Sequence, residues 1–486
     1  MNRRRRDIRN WFTVGGGRGG GGAVVPRSVV ITCTQTGPTA TSPLNLTVTF
    51  SDSVTGFEVT DITAAITGGT VTKSNFAGSG AVYTCDLAPS KTGTVTVDIG
   101  ADVVTEGNTA ATQFTISFIF FTVRDDFTDT VAAGSVNGTD ADPGPGVRAV
   151  VDTESKLSLS SGVMNMAPKA SPAAGDPRIH YTVGAAALAR AAGLCLVGAA
   201  RPAAANTGLR LVAWDTDTSG DGLHIMNLST TGNFGNSQQS YNVSYAANEW
   251  AYGAIVLRSA GYHALAKGGG STALADWSRL WVRVADTNTP LYPSAINQSA
   301  TYTQEYVRVA QLGALWATAA VDGVITATNN VNDVFTHATA FLLYATVTLP
   351  ASGSIEIRFR VQDASNYYRL TISDAGAWNV AEVAADSPTT KGSGTGVTNG
   401  MRVGLRQTPA FNLFVHLGEA TGSSWGLDNS FAASTSGLIA DLGTGGAITS
   451  LEIYPWALSG TALSEVSAVS TFLSEEELIY SSSIES

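Results

Sequence analysis

The sequence predicts an all-β protein assembled from several packed β-sandwiches. Only 14% of its 486 residues are charged, and long helical segments rich in Glu, Lys and Leu are absent. Short runs in which apolar and polar residues alternate recur along the chain, and Gly, Asn, Asp and Ser separate them. This pattern is typical of strands joined by turns. The length is enough for about three domains.

Charge is unevenly distributed along the chain. The net charge is −11, yet residues 1–27 contain seven Arg and one Asp and therefore carry +6, which leaves −17 for the remainder. A body of this charge repels nucleic acid, and only the N-terminal segment could attract a polyanion. Nucleic acid is therefore not an expected partner of the folded domains.

Residues 1–27 are predicted to be a flexible arm, because a basic segment is followed by the Gly-rich run GGGRGGGG. Three interpretations stay open: an anchor that docks on another subunit, an arm that binds nucleic acid, and a solvated tail. Two large aromatic residues favour docking, since they gain nothing from exposure to solvent. The candidate anchor residues are Arg3, Arg4, Arg5, Arg6, Trp11 and Phe12.

Residues 28–118 are predicted to form the first domain, with alternating strands at 44–50 and 94–99. Short motifs within and between these strands resemble those of bacterial Ig-like domains. The resemblance implies an Ig-like β-sandwich that serves as a spacer or an adhesive stalk. The residues that carry it are Phe50-Ser51-Asp52-Ser53-Val54, Phe57, Asp61-Ile62, Gly80, Tyr83-Thr84, Pro89, Gly93 and Gly107-Asn108.

The stretch SIEIRFRVQDASNYYRL at 354–370 is the clearest predicted hairpin. Apolar residues alternate with Glu356, Arg358 and Arg360 in its first half, and turn-forming residues follow at 363–366. The run Asp-Ala-Ser-Asn-Tyr-Tyr within it resembles the central hairpin of laminin-G-like and concanavalin-A-like jelly rolls. That resemblance implies two packed antiparallel sheets, often with a sugar-binding or adhesive role.

A repeat of low identity indicates two jelly rolls in tandem, because three pairs of segments occur in the same order and at similar spacing. The pairs are 206–226 with 365–383, 248–258 with 398–407, and 306–316 with 450–460. We therefore predict jelly-roll sandwiches at 119–312 and 313–472. Residues 473–486 are an acidic, Ser-rich tail, either a short helix capped by Ser474 or a frayed terminus.

The three cysteines do not make a disulfide framework, and their spacing does not match a zinc site. Cys33 and Cys85 both fall in the first domain, where either a disulfide or two buried thiols fits the sequence. Cys195 is predicted to be a buried thiol.

The run DTDTSGDG at 215–222 is the best candidate metal site. Asp215, Asp217 and Asp221 place carboxylates at spaced positions around a Gly bend, as a calcium loop requires. Met226 stands where such a loop would have its bidentate Glu, and the same residue types between two strands also form ordinary turns. The run is therefore either a calcium site or an ordinary turn. Calcium is the one cofactor that the sequence suggests.

Tyr367, Tyr368 and Trp378 are the candidate carbohydrate-binding residues, because they fit a rim beside the hairpin and sugar rings stack on exposed aromatic side chains. Catalysis is not expected. The strand motif Glu-x-Asp-x-x-Glu that concanavalin-like glycosidases usually carry is absent, and a retaining mechanism needs two carboxylates about 5 Å apart. Glu356 is therefore interpreted as a cross-strand charge partner.

These observations predict a non-enzymatic structural or adhesion protein. No apolar run reaches about 18 residues, so no membrane span is expected, and Gly15–Gly22 stands where a secretory signal would have its apolar core. A multi-domain adhesin without an export signal fits a virion. We therefore expect a phage decoration, head-fibre or tail-associated protein that projects its domains from the particle.

The expected partners are other virion subunits, bound through the arm, and host glycans; homo-oligomerisation stays open. Two alternatives remain. The first is a secreted or cell-surface bacterial adhesin with carbohydrate-binding domains, and the second is a polysaccharide-active enzyme.

Overall fold

A computed structural model of the protein describes residues 25–142, 144–160, 162–167, 177–182, 191–202, 210–214, 223–228, 233–236, 239–244, 248–259, 261–267, 277–283, 292–296, 302–312, 316, 325–327, 340–407, 412–418, 420–426, 439–458 and 460–471. These residues form two compact units. The first comprises Thr41–Ser90, Thr94–Ile116 and the described residues up to Thr36. The second runs from Ser117 onwards and includes Gly37–Ala40 and Lys91–Gly93.

The first unit is an Ig-like sandwich of two sheets, with strand orders β1-β2-β4 and β3-β5-β6 among the described residues. Its strands are β1 (Val29–Cys33), β2 (Leu44–Val54), β3 (Ile62–Ile66), β4 (Val71–Pro89), β5 (Gly93–Ile99) and β6 (Phe114–Phe118). The alternation predicted for β2 is confirmed, because Leu44, Leu46, Val48 and Phe50 are buried and Asn45 and Thr49 are exposed. Burial of one face of each strand makes the core of this sandwich.

Cys33 and Cys85 are both free thiols, which answers the question left open by the sequence. Leu46 lies in register with Cys33 on one side and with Cys85 on the other. One strand therefore separates the two cysteines, and two strand spacings amount to about 9.5 Å. A disulfide needs Cα atoms within about 7 Å, so these thiols cannot pair without moving the backbone.

The first jelly roll consists of two sheets in the second unit. Sheet I has the order β19-β18-β17-β12-β21-β10-β9 with β7 paired to β21, and sheet II has the order β16-β15-β14-β13-β20-β11-β8. The strands are β7 (Phe121–Asp125), β8 (Val147–Val151), β9 (Leu157–Ser160), β10 (Val163–Met166), β11 (Arg178–Thr182), β12 (Leu194–Pro202), β13 (Arg210–Trp214), β14 (Leu223–Leu228), β15 (Asn233–Asn236), β16 (Gln239–Ser244), β17 (Ala251–Leu257), β18 (Tyr262–Lys267), β19 (Ser278–Arg283), β20 (Tyr292–Ile296) and β21 (Tyr302–Gln311).

The second jelly roll also has two sheets. Sheet III has the order β22-β32-β23-β28-β29-β30, and sheet IV has the order β27-β26-β25-β24-β31. The strands are β22 (Ile325–Ala327), β23 (Phe341–Thr348), β24 (Ser354–Asp363), β25 (Asn366–Ser373), β26 (Trp378–Ala384), β27 (Ser387–Gly394), β28 (Arg402–Gln407), β29 (Asn412–Leu417), β30 (Ala420–Gly426), β31 (Ile439–Asp441) and β32 (Ala447–Pro455). The all-β fold with two tandem jelly rolls is thus as predicted.

The predicted hairpin is formed by β24 and β25, with Ser354 in register with Ser373 and Phe359 in register with Tyr368. The alternation predicted for β24 fails at Arg360. This residue has a positive φ of 51°, and its side chain is buried rather than outward. An irregularity between Phe359 and Asp363 interrupts the pairing at this point and turns the following residues.

Sheet III is buried on both faces. On one face Phe341 and Leu343 belong to the core shared with sheet IV. On the other face Leu342, Tyr344 and Tyr454 belong to the core of the first jelly roll. The two jelly rolls therefore share apolar contacts across sheet III, and sheet IV is the outer layer of the second one.

A single α-helix, α1 (Gly460–Thr471), is present among the described residues, and it follows the last strand of the second jelly roll. It packs back on sheet I of the first jelly roll, where Ala462, Val466 and Val469 join one cluster with Val197 and Val256. The short helix predicted from Ser474 lies outside the described residues. No helix in the described part of the chain has the length and hydropathy needed to cross a membrane.

Candidate functional site

The candidate site lies on the face of sheet IV that points away from the core. In β24, Ile355 and Ile357 are buried in the core, whereas Ser354 and Glu356 beside them keep contact with solvent. Successive side chains of a strand point to opposite faces. The same alternation in β25 therefore brings polar residues of adjacent strands together on the outer face.

Glu356 is the centre of an ionic cluster on this face. Its Oε1 accepts a hydrogen bond from Nε of Arg358 at 2.6 Å, and its Oε2 accepts one from Nη1 of Arg369 at 2.7 Å. Arg358 and Arg369 lie in register on adjacent strands, so one carboxylate holds two neighbouring cations. This geometry confirms the interpretation of Glu356 as a charge partner.

Tyr367 fixes the position of Arg358. The guanidinium carbon of Arg358 lies 4.4 Å from the centroid of the Tyr367 ring, a cation–π contact. Only 6% of Tyr367 is exposed. The arginine therefore covers the ring and is held to one side of the cluster.

An open groove runs across β24, β25, β26 and β27 beside the ionic cluster, with a volume of about 650 Å³. Volumes of roughly 300–1,000 Å³ are usual for small-molecule sites. Arg369 lies in this groove, and Arg358 does not. The lining residues are Ser354, Glu356, Arg369, Thr371, Ser373, Ala377, Trp378, Asn379, Ser393, Gly394 and Thr395.

Hydrogen bonds within the sheet order the polar floor of the groove. The hydroxyl of Thr371 donates to the carbonyl oxygen of Asn379 at 3.3 Å, and Nδ2 of Asn379 donates to Oγ1 of Thr390 at 3.1 Å. At one end of the groove, Oγ of Ser373 accepts a hydrogen bond from the Ala377 amide at 3.1 Å. These contacts restrict the rotamers of the side chains that a ligand would meet.

Trp378 borders the groove and also belongs to the core of the second jelly roll. Gly394 on the next strand makes room for the indole, because a Cβ atom at this position would lie 2.7 Å from Cζ2 of Trp378. The ring is thus packed against the backbone of β27. Only 7% of Trp378 is exposed, so a ligand could reach its edge rather than its full face.

The structure separates the three aromatic residues predicted to bind carbohydrate. Trp378 lies at the groove, and Tyr367 is covered by Arg358. Tyr368 is fully buried, with its ring stacked on Phe359 at a centroid distance of 5.8 Å. Tyr367 and Tyr368 are consecutive in a strand and point to opposite faces. The three rings therefore do not form one platform, and the expectation for Tyr368 is corrected.

The groove offers no pair of carboxylates among its described residues. Glu356 is the one acid in its lining, and guanidinium groups occupy both of its oxygen atoms. Elsewhere in the described part of the chain, no group of three or more His, Cys, Asp and Glu side chains is arranged to hold a metal ion. Asp215, Asp217 and Asp221, the predicted calcium ligands, lie outside the described residues.

The predicted anchor residues of the arm, Arg3 to Arg6, Trp11 and Phe12, also lie outside the described residues. The groove residues Arg369, Thr371 and Asn379 were not predicted from the sequence. The signal that could have found them is the two-residue period of β25 and β26, which places them on the face of Glu356.

Two of the comparisons with known proteins concern sequence. Residues 23–120 match the family model of the bacterial Ig-like domain. No curated protein matches the chain.

The third comparison found solved structures that match part of the chain. Galectin LEC-6 of Caenorhabditis elegans is 9% identical, with a TM-score of 0.22 over 26% of this chain and 94% of that chain. The CBM40 of the Ruminococcus gnavus IT-sialidase, bound to α2,6-sialyllactose, is 11% identical, with a TM-score of 0.22 over 29% of this chain and 96% of that chain. A β-1,3-glucanase from Mycobacterium marinum is 10% identical, with a TM-score of 0.24 over 39% of this chain and 98% of that chain.

Similarity at this level carries no argument about what the chain binds or catalyses. The match to a family model is of a different kind, because it covers the first domain and agrees with the motifs between Phe50 and Asn108. The segment 23–120 thus matches the bacterial Ig-like domain, and its described part forms the Ig-like sandwich of the first unit.

Proposed function

We propose that this protein is a non-enzymatic adhesion protein that binds glycans in the groove on sheet IV. The observation that supports the proposal is the ordered set of polar side chains in that groove, with Glu356, Arg369 and Asn379 beside the edge of Trp378. A sugar offers many hydroxyl groups together with an apolar ring edge. A groove with fixed hydrogen-bonding groups and an aromatic border is complementary to both features.

The chemistry of Glu356 supports binding rather than hydrolysis. A retaining glycosidase needs a second carboxylate about 5 Å away, and an inverting one needs it at roughly 6.5–9.5 Å. Among the described groove residues Glu356 has no such partner, and its two oxygens already accept hydrogen bonds from Arg358 and Arg369. A lone carboxylate paired with two guanidinium groups lacks the second acid that either mechanism requires.

Binding is tested with a glycan array followed by calorimetry of the best ligand. The variant Thr371→Val removes one hydroxyl from the groove and keeps the β-branched shape. Asn379→Ala removes a side-chain amide. Each change should weaken binding about threefold to tenfold, the effect of one hydrogen bond.

Thr96→Val in the first domain is the matched control, because its hydroxyl also donates to a backbone carbonyl, that of Ala65 at 3.4 Å. This variant should bind as the wild type does. Unchanged affinity of both groove variants would place the glycan site elsewhere. Release of new reducing ends from a polysaccharide would contradict the non-enzymatic assignment.

The Ig-like domain and the basic arm support a role in an assembled particle. We propose that this particle is a phage virion. The Ig-like domain would be the stalk, and the arm would be the anchor, because a segment of +6 precedes a Gly-rich linker on a body of −17. Arginine guanidinium groups would pair with carboxylates on the particle surface. A secreted or cell-surface bacterial adhesin is the alternative location.

Deleting residues 2–14 tests the anchor. The truncated protein should keep its melting temperature but no longer co-sediment with the particle, and salt should weaken attachment of the full chain because exposed ion pairs are screened. A variant with Gln at positions 3–6 separates the contribution of charge from that of Trp11 and Phe12. Normal incorporation of the truncated protein would assign attachment to another surface.

A further inference from the structure

We propose that the glycan bound on sheet IV is an acidic one, and that Arg369 binds its carboxylate. This inference rests on the proposed glycan-binding function and assigns its ligand class. The hydrogen bonds of the ionic cluster decide which groups are left for a ligand.

Both oxygens of the one acid in the cluster already accept hydrogen bonds within the protein. Each oxygen of Glu356 accepts a short one, at 2.6 Å from Arg358 and at 2.7 Å from Arg369. A carboxylate has about four acceptor sites, so about half of them are taken. Sugar hydroxyls can use the remaining sites, and the choice between a neutral and an acidic ligand therefore depends on the donors of Arg369.

The donors of Arg369 are not used up. A guanidinium group has five N–H donors and no acceptor. Among the described residues Arg369 makes one side-chain hydrogen bond, from Nη1 to Glu356, and its Nη2 makes none. Its Nε is buried without an acceptor in the same part of the structure. The side chain is 27% exposed, so a ligand can approach it from the groove.

Arg358 has a different role from Arg369. It is absent from the groove lining, and its guanidinium stacks on Tyr367 while it donates to Glu356. It holds the carboxylate in place from the far side and is a positioning residue. The groove itself therefore presents the donors of Arg369.

The charge around the groove favours an anion. Two guanidinium groups face one carboxylate in the cluster. Asp441 is in register with Glu356 on β31, but β24 separates that strand from β25, which carries Arg369. The partly exposed guanidinium of Arg369 offers a single carboxylate both a partner of opposite charge and charge-assisted hydrogen bonds.

The ligand class is a sugar that bears a carboxylate. Its carboxylate would accept hydrogen bonds from the free edge of Arg369, while its hydroxyl groups would meet Asn379 and Ser393 across the groove floor. Two kinds of glycan share this chemistry, a uronate within a polysaccharide and a sialate at the end of a glycan chain.

Calorimetry with the full-length protein tests the inference. The probes are trigalacturonate and its methyl ester, which differ in whether the carboxylates are free or esterified, and sialyllactose and lactose, which differ in the sialate. At least one acid should bind about tenfold or more tightly than its neutral counterpart, and 0.5 M NaCl should reduce this advantage. The pair that shows the advantage identifies the source of the carboxylate.

Arg369→Gln should lower the affinity for the acid to that for the neutral probe and leave the neutral affinity unchanged. Arg369→Lys should keep part of the preference, because it retains the charge without the forked geometry. Arg27→Gln is the matched control, since Arg27 forms a single ion pair with Asp52 at 3.5 Å in the first unit. That variant should behave as the wild type.

Equal affinity for acid and neutral probes would overturn the inference and leave glycan binding intact. An acid preference that survives Arg369→Gln, in a variant with an unchanged melting temperature, would overturn the assignment of Arg369. Failure of all four probes and of the whole glycan array would overturn the proposed function together with the inference.

Discussion

Asp125 occupies a fully buried position in which its carboxylate accepts two hydrogen bonds from Arg148, both at 2.6 Å, and one from the Tyr181 hydroxyl at 2.9 Å. Burial opposes the charge of Arg148, but its hydrogen bonds to Asp125 and Asp129 outweigh burial and raise the pKa of Arg148. Burial raises the pKa of Asp125, which favours the neutral acid, but two short hydrogen bonds from one guanidinium to both of its oxygens are the geometry of an ion pair. Removing one partner would leave the other charge buried and unpaired, which is the costly outcome for such pairs.

The neighbouring Asp126 links distant parts of the second unit. It accepts a hydrogen bond from Nε of Arg308 at 2.7 Å, and Arg308 in turn donates to the carbonyl oxygens of Val469 and Ser470. These carbonyls belong to the last turn of α1, where a cation is favourable. Asp125 and Asp126, which are consecutive at the end of β7, thus pair with two different arginines, Arg148 and Arg308.

His263 should make the second unit less stable in mild acid. Its side chain is fully buried, and burial, together with nearby Arg279, Arg258 and Arg402, holds the pKa of this imidazole well below its usual range. The folded state therefore keeps His263 neutral, whereas the unfolded state takes up a proton as pH falls through about 6.5. Stability contributed by the neutral form is present above that pH and is lost below it.

The variant His263→Phe has no such proton to bind and keeps an aromatic ring beside Trp316 and Tyr454. The difference in free energy of unfolding, variant minus wild type, should rise by about 1.4 kcal/mol when the pH is lowered from 7.5 to 5.5. Urea denaturation at both pH values measures the difference, and the other histidines cancel because they are common to both proteins. A constant difference between the two proteins would contradict the prediction.

Strands with both faces buried mark the limit of what sequence periodicity could predict here. β24 has one buried face, and its alternation to Phe359 predicted the hairpin and the position of Glu356. β18 and β23 are buried on both faces over most of their length, so their sequences contain few of the polar residues that produce alternation. Which layer covers such a strand depends on contacts between segments far apart in the chain.

The candidate site was predicted only in part for a similar reason. Trp378 and Glu356 were recognised individually, because an aromatic residue and a lone acid stand out in a strand. The groove depends on the register between β25 and β26, which sets Thr371 opposite Asn379. A shift of one residue would turn every side chain to the other face. No local sequence pattern reveals that register.

Helix α1 should contribute measurably to the stability of the first jelly roll. Val466 is fully buried in the cluster that α1 forms with sheet I. Val466→Ala removes two methyl groups and leaves a small cavity, and the better helix propensity of Ala offsets a little of this loss. The free energy of unfolding of the second unit should fall by about 1.5–2 kcal/mol.

Ser464→Ala is the control for this measurement, because Ser464 is exposed on the same helix. It should change the free energy of unfolding by less than about 0.5 kcal/mol. Equal effects of the two substitutions in denaturant titrations would mean that α1 is not docked on sheet I in solution.

At the scale of the whole molecule, the two jelly rolls of the second unit are joined by both polar and apolar contacts. Glu452 accepts hydrogen bonds from the Tyr454 hydroxyl at 2.6 Å and from Arg402 at 3.2 Å, and it forms an ion pair with Arg258 at 3.6 Å. Burial raises the pKa of the Tyr454 phenol, which keeps it a hydrogen-bond donor. Backbone hydrogen bonds also connect Arg279 to Trp456 and Leu458 to Trp277.

This arrangement predicts that the two jelly rolls unfold together. A fragment of residues 119–312 contains the first jelly roll but lacks Tyr344 and Tyr454, which belong to the apolar cluster on one face of sheet I, and α1, which packs on the other face. The apolar area left exposed should prevent it from folding on its own, so it should bind a hydrophobic dye and show no cooperative melting. A fragment of residues 119–471 should melt in one calorimetric transition, and residues 25–118 should melt separately. Cooperative melting of the 119–312 fragment near the melting temperature of the 119–471 fragment would contradict this prediction. It would mean that sheet I is stable without the second jelly roll and α1.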